Sequence, residues 1–135
     1  MINLVEINPS QEEMREMFIE SFGEHENTFL SQHVFLVCEG DTEIAWCSGY
    51  PHSKGTLYLQ YIGFRKGITK QYTYYKETVK ALHEMGYPWI MGTIDNENVV
   101  AIMWALRSGF KIIGARQASD GKLYVEILRR ASNDS

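Results

Sequence analysis

The chain opens with Ile2, Leu4, Val5 and Ile7 inside six residues, then turns polar at Asn8-Pro9-Ser10. That run predicts a short first strand over Ile2–Ile7. Ser10 followed three residues later by Glu13 is a capping box, in which each side chain can bind the other residue's backbone N–H. Met14, Met17, Phe18 and Phe22 follow at helical spacing and give that helix one apolar face. Gly23 to Gln32 is polar and fits either a short second helix or a mobile loop. Strand patterning then resumes. Val34–Cys38 and Glu43–Gly49 flank a Gly40-Asp41 turn, and Leu57–Gly63 is a further run rich in aromatic and aliphatic residues.

At Ile68 the period changes. Ile68, Tyr72, Tyr75, Val79 and Leu82 share one helical face up to about Met85, and Gly86-Tyr87-Pro88 stops the helix. Trp89–Asp95 has the near-continuous apolar character of a buried strand. Asn96 or Asn98 can cap the next helix, Val99–Ser108, and Gly109 fits the left-handed position that ends it. Two last strands, Phe110–Arg116 and Leu123–Arg129, flank an Asp120-Gly121 turn. The predicted order is β-α-(α)-β-β-β-α-β-α-β-β. Such an order implies an α/β chain: a mixed, mostly antiparallel sheet with a central β-α-β unit and helices on both faces.

Composition narrows what such a chain can do. Its 135 residues suit a single domain over 1–130, with 131–135 read as a frayed tail. The 44% hydrophobic and 22% charged fractions are those of a globular protein rather than a disordered one. A net charge of −4 without a Lys/Arg stripe argues against nucleic acid as the main ligand. No apolar run approaches the roughly 18–20 residues that cross a bilayer, so no membrane partner is expected. Met1 to Ile7 lacks a basic segment before a long apolar stretch, so no signal peptide is expected either. A hairpin about Gly40-Asp41 sets Cys38 opposite Glu43 and Cys47 opposite Val34, too far apart for a disulfide. A reducing, cytoplasmic setting follows as the expectation. The histidines at 25, 33, 52 and 83 are dispersed, and His83-Glu84 lacks a second histidine at zincin spacing, so no metal is expected. Neither a dinucleotide fingerprint, a nucleophile elbow nor a Walker-type loop is present.

The stretch Asn98-Val-Val-Ala101-Ile-Met-Trp-Ala105-Leu-Arg-Ser-Gly109-Phe110, with the element order around it, resembles the GNAT superfamily of N-acetyltransferases. Asn98, Ala101, Gly109 and Phe110 fall in register with that family's late motif. A second hallmark is an acyl-CoA loop, Arg/Gln-x-x-Gly-x-Gly/Ala, between the fourth strand and the helix after it. There, backbone amides at a helix start cradle a pyrophosphate. Phe64-Arg65-Lys66-Gly67-Ile68-Thr69-Lys70 stands in that place. Gly67 matches, Phe64 and Thr69 depart, and Arg65, Lys66 and Lys70 keep the loop basic.

The resemblance implies an acyl-CoA-dependent N-acyltransferase with acetyl-CoA as co-substrate and a small-molecule or peptide amine as acceptor. It would act as a monomer or homodimer. Arg65, Lys66, Gly67, Ile68, Thr69 and Lys70 would bind the pyrophosphate. The Leu59–Ile62 edge, with Tyr61, would pair with the pantetheine amides, and Asn98 would sit near the thioester arm. Two family roles lack their usual side chains. Ala105 stands where a thiolate-protonating Tyr is usual, and Leu57–Gly63 carries no carboxylate base; Tyr58 and Tyr61 are its ionisable groups, with Tyr61 as the acid/base candidate. Those departures support an alternative: a catalytically degenerate GNAT-fold binding or structural protein, similar to chains found in phage genomes.

Overall fold

A computed structural model describes residues 2–23 and 33–132 of the chain. The elements are β1 (Ile2–Ile7), α1 (Gln11–Phe22), β2 (His33–Glu39), β3 (Thr42–Ser53), β4 (Thr56–Phe64), α2 (Gln71–Glu84), β5 (Trp89–Asp95), α3 (Val99–Arg107), β6 (Lys111–Gln117) and β7 (Leu123–Arg130). The stretch 24–32, where the sequence left helix and loop open, lies outside the described residues, as do His25 and the tail from 133. Ala131 is still held, its N–H donating to the Pro88 carbonyl at 2.7 Å.

Local chemistry sets the helix ends where the sequence placed them. Ser10 Oγ accepts from the Glu13 N–H at 3.1 Å, and Glu13 Oε1 accepts from the Ser10 N–H at 3.0 Å. Asn98 Oδ1 accepts from the Ala101 N–H at 3.2 Å and caps α3. One boundary differs. The second long helix begins at Gln71, not at Ile68, because Gly67 takes a left-handed φ of +85° and the chain turns there before it winds. Ile68 packs on the core just as a helical residue in phase with Tyr72 and Tyr75 would, which is why its period misleads.

The seven strands form one sheet in the order β1-β2-β3-β4-β5-β7-β6, and every neighbour pair is antiparallel except β4–β5. The connection from β4 to β5 is a crossover that holds α2, as parallel pairing requires. The β2–β3 hairpin carries a bulge between Val37 and Cys38. Cys38 therefore faces Glu43 as expected, while Cys47 faces Phe35 rather than Val34. Both cysteines are free, and burial pushes the Cys47 thiol up to about 12.

Helices cover both faces. On one, Val79 and Leu82 of α2 and Ala105 of α3 close over Phe35, Val37, Leu57, Ile90 and Ile127. Each such aliphatic side chain contributes about 1.5–3 kcal/mol by leaving water. On the other, Met14 and Phe18 of α1 pack on Val34 and Trp46. A polar node pins α1 to the sheet there. The Trp46 indole N–H donates to Ser21 Oγ at 2.8 Å, and Ser21 Oγ donates to the Phe64 carbonyl at 3.2 Å. Gly63 makes room for it: a Cβ at 63 would lie 2.6 Å from both Ser21 Oγ and Trp46 Nε1.

Candidate active site

Parallel pairing between β4 and β5 lasts only from Thr56–Trp89 to Tyr58–Met91. Beyond Tyr58 the strands part, β4 running on to Phe64 and β5 to Asp95. The apex of the fork is tight. A Cβ at Gly92 would lie 3.0 Å from the Leu59 carbonyl oxygen, and the Tyr58 hydroxyl and Thr93 Oγ1 share a 2.6 Å hydrogen bond across the two strands. Just past the apex, β4 shifts register against β3: Gly49 pairs with Leu59 but Ser48 with Tyr61, so Gln60 is an inserted, bulged residue. A bulge at that point bends β4 away from β5. Between the parted strands lies a cleft of about 430 Å³, walled by Phe22 of α1, Tyr75 of α2 and Trp104 of α3.

Of the residues expected to hold a cofactor, Leu59, Tyr61, Ile62 and Asn98 line this cleft. The loop 65–70 joins Phe64 to Gln71, two other lining residues, and so lies at its rim. The first backbone bond of α2 runs from the Tyr74 N–H to the Lys70 carbonyl at 3.1 Å, so the N–H groups of Gln71, Tyr72 and Thr73 have no helical acceptor. Lys70, the N-cap, makes no side-chain cap. Nothing lies within 4 Å of a Cβ built on Gly67. Open space beside unpaired amides at a helix start, with Lys66 and Lys70 adjacent, suits an anion.

Arg65, expected at the pyrophosphate, is paired with two carboxylates. Its guanidinium donates to Glu20 Oε1 at 2.9 Å and to Glu43 Oε2 at 2.6 Å, which turns it toward α1 and β3. The Lys66 N–H also leans on Glu20, at 3.4 Å, and the Ile68 N–H donates to the Arg65 carbonyl at 3.4 Å. The amides left to a ligand are therefore those from Gly67 and from Thr69 onward.

Tyr61 sits at the cleft wall among aromatic rings, with Phe18 edge-on at 5.0 Å and Phe22 and Trp46 at 6.2 and 6.3 Å between centroids. Ala105 is wholly buried. Tyr75 reaches the same region from α2, with Trp104 at 5.9 Å between centroids and its hydroxyl beside Ser108. Burial pushes that phenol up to about 12, so it stays protonated at neutral pH.

The search of β4 for a carboxylate missed Asp95, the one carboxylate lining the cleft among the described residues. It stands at the end of β5, three residues before Asn98. Its Oδ1 accepts from the Glu97 N–H at 2.9 Å, and its Oδ2 lies 3.9 Å from Lys122 Nζ. Gln71, Tyr75, Thr93 and Trp104 were missed as well. Gln71 and Tyr75 lie on α2, Thr93 on β5 and Trp104 on α3, and nothing but position in the fold marks them.

No protein-family model matches the chain, and no curated protein matches it by sequence. Solved structures do match over nearly its whole length. The ribosomal-protein-S18-alanine N-acetyltransferase of Escherichia coli superposes with a TM-score of 0.72 at 12% identity, over 100% of this chain and 97% of that one. A GNAT family acetyltransferase from Elizabethkingia anophelis with acetyl-CoA bound gives 0.70 at 12% identity, over 96% and 97%. An aminoglycoside acetyltransferase in complex with coenzyme A gives 0.71 at 13% identity, over 96% and 95%. At that identity the likeness shows the fold, and the fold is that of the GNAT acetyltransferases.

Proposed function

We propose that the cleft between β4 and β5 binds an acyl-coenzyme A, and that the chain transfers its acyl group, acetyl in the first instance, to an amine. The observation that carries this reading is the fork itself: two parallel strands parting at a bulge, beside an uncapped helix start with open space at Gly67. The amides of Gly67, Thr69, Lys70 and Gln71, with Lys66 and Lys70, hold the pyrophosphate. Past the last β4–β5 pair, the Leu59–Ile62 edge of β4 lines the cleft and runs alongside the two amides of a pantetheine arm. Structures of similar fold carrying acetyl-CoA or CoA support this assignment.

An acyl thioester supplies an activated acyl carbon and a thiolate leaving group. The chain's own groups hold it beside the acceptor, and positioning of this kind lowers a barrier by about 7–11 kcal/mol at best. An ammonium acceptor must lose a proton before its lone pair can attack the carbonyl carbon. Asp95, on the cleft wall, is placed to attract the cation and take that proton, directly or through water. Tyr61, hemmed by Phe18 and Phe22, presents a phenol hydroxyl that can protonate the departing sulfur. Two unpaired cysteines fit work in a reducing compartment such as the cytoplasm.

A second reading rests on Ala105, a buried methyl where GNAT chemistry commonly places a tyrosine. On that reading the cleft binds acyl-CoA without turning it over. One experiment separates the two: acetyl-CoA is incubated with a panel of peptide, polyamine and aminoglycoside amines, and free thiol and acetylated product are followed together. Transferase activity gives thiol release that depends on one class of acceptor. Saturable acetyl-CoA binding with no release across the panel selects the binding protein.

A further inference from the structure

Helix α3 reads Val-Val-Ala-Ile-Met-Trp-Ala-Leu-Arg, and its one charged residue is its last. A helix apolar all round belongs inside a protein. This one is covered on two sides only. Ile102 and Ala105 face the core, and Ala101 and Trp104 face the cleft. Val99, Met103 and Leu106, at spacings of four and three, form a third stripe that faces water.

That stripe does not stand alone. Helix α3 packs against β6, the edge strand of the sheet. Ile112 of β6 pairs with Ile127, whose side chain lies in the core beneath α3, so Ile112 projects on the same side as the helix. Ile113 follows at the register shift between Ile112 and Gly114. Leu123 is set beside the start of α3, its carbonyl accepting from the Asn96 N–H at 2.9 Å. These six aliphatic side chains are between 45% and 60% exposed. The five that lie on the α3 side, Ile113 of the same edge strand apart, present on the order of 450 Å² of apolar surface, within the range of the largest patch a monomer ordinarily leaves to water.

We propose that this α3–β6 face is the interface of a homodimer. A second copy of the chain satisfies both of its features at once. The apolar area alone is more than half of the roughly 800 Å² that each partner contributes to a standard interface. The edge strand asks for a strand partner, since no described strand pairs with its outer side. Antiparallel β6–β6 pairing about a twofold axis meets that need with one patch on both subunits, as a closed dimer requires. Centred on Gly114, such pairing sets Lys111 opposite Gln117 and Ile112 opposite Arg116, so no two cations face each other. The two α3 stripes then lie side by side over the joined sheet. Acyl-CoA binding is not required for this, and the cleft lies on the other side of α3.

Sedimentation velocity on the full chain at micromolar concentration tests it. The wild type is expected at twice 15.6 kDa. Met103→Lys and Ile113→Lys, made separately, each place a cation in the interface and are expected to raise the dimer dissociation constant at least tenfold, with circular dichroism unchanged. Val5→Lys, at an exposed apolar position on the opposite edge strand β1, is expected to leave the dimer intact. A wild type that sediments as a monomer overturns the proposal and points to a different protein as the occupant. So does a folded Ile113→Lys or Met103→Lys chain that remains as dimeric as the wild type, or a dimer that Val5→Lys dissociates.

Discussion

Gly63 is the position where one methyl group should do the most harm beside the cleft. An alanine there would place Cβ 2.6 Å from Ser21 Oγ, 2.6 Å from Trp46 Nε1 and 2.7 Å from Ser21 Cβ. None of these atoms is the free end of a flexible side chain. Trp46 is wholly buried, and Ser21 is tied both to it and to the Phe64 carbonyl. Relief requires α1 to back away from β4, and overpacking of this kind costs about 1–3 kcal/mol. Parting the Trp46–Ser21 bond leaves a buried indole N–H unsatisfied, which adds about 1 kcal/mol. Gly63→Ala is thus expected to lose about 2–4 kcal/mol, near a third of the stability of an ordinary domain. Urea unfolding followed by tryptophan fluorescence measures this directly. Gly114→Ala is the control, since a methyl there meets only the tip of Glu126, at 3.3 Å, on an ordinary backbone. Because Ser21 and Phe22 also line the cleft, the Gly63 variant should bind acetyl-CoA more weakly while the Gly114 variant does not. A Gly63→Ala chain within about 0.5 kcal/mol of wild type, the range of an inert surface change, would refute the reasoning.

Three further outcomes follow from the same geometry. Arg65→Met should leave acetyl-CoA affinity within about twofold while lowering thermal stability, because the guanidinium serves Glu20 and Glu43 rather than a ligand; a tenfold loss of affinity would return Arg65 to the site. Gly67→Val adds a branched side chain at a left-handed φ of +85° and should weaken acetyl-CoA binding several-fold by calorimetry, with an intact loop and unchanged affinity as the contrary result. Stability should fall as pH rises from 9 toward 12. The folded state holds the Cys47 thiol up to about 12, whereas the unfolded chain ionises near 9.0 and is favoured from there upward. At about 1.4 kcal/mol per unit the loss reaches at most ~4 kcal/mol. Cys47→Ala should flatten that part of the pH profile, and an unchanged slope would count against the burial effect.

How much of this was legible depends on how far apart the interacting residues lie in the chain. The Ser10–Glu13 box and the Asn98 cap are three-residue events, and the side chains that make them name them. The order of strands and helices followed from periodicity, which switches cleanly at the turns. Register did not. A bulge between Val37 and Cys38 moves Cys47 by one partner, and nothing in a period-two pattern shows an inserted residue. The same blindness hides Gln60 and the fork it helps to open, since β4 has the same pattern whether or not β5 stays beside it. The ion pairs that hold Arg65 were not legible because its partners, Glu20 and Glu43, lie 45 and 22 positions away. Asp95 carries no sequence signal, because only the folded chain sets the end of β5 against the same cleft as β4.

The central claim is that the parted β4 and β5 strands hold an acyl-coenzyme A. Isothermal titration of the folded wild-type chain with acetyl-CoA tests it most directly. Saturable binding with one ligand per chain is expected, competed by coenzyme A and lost progressively with salt, as a pyrophosphate held by amides and lysines requires. A folded chain that takes up no heat with millimolar acetyl-CoA would contradict it.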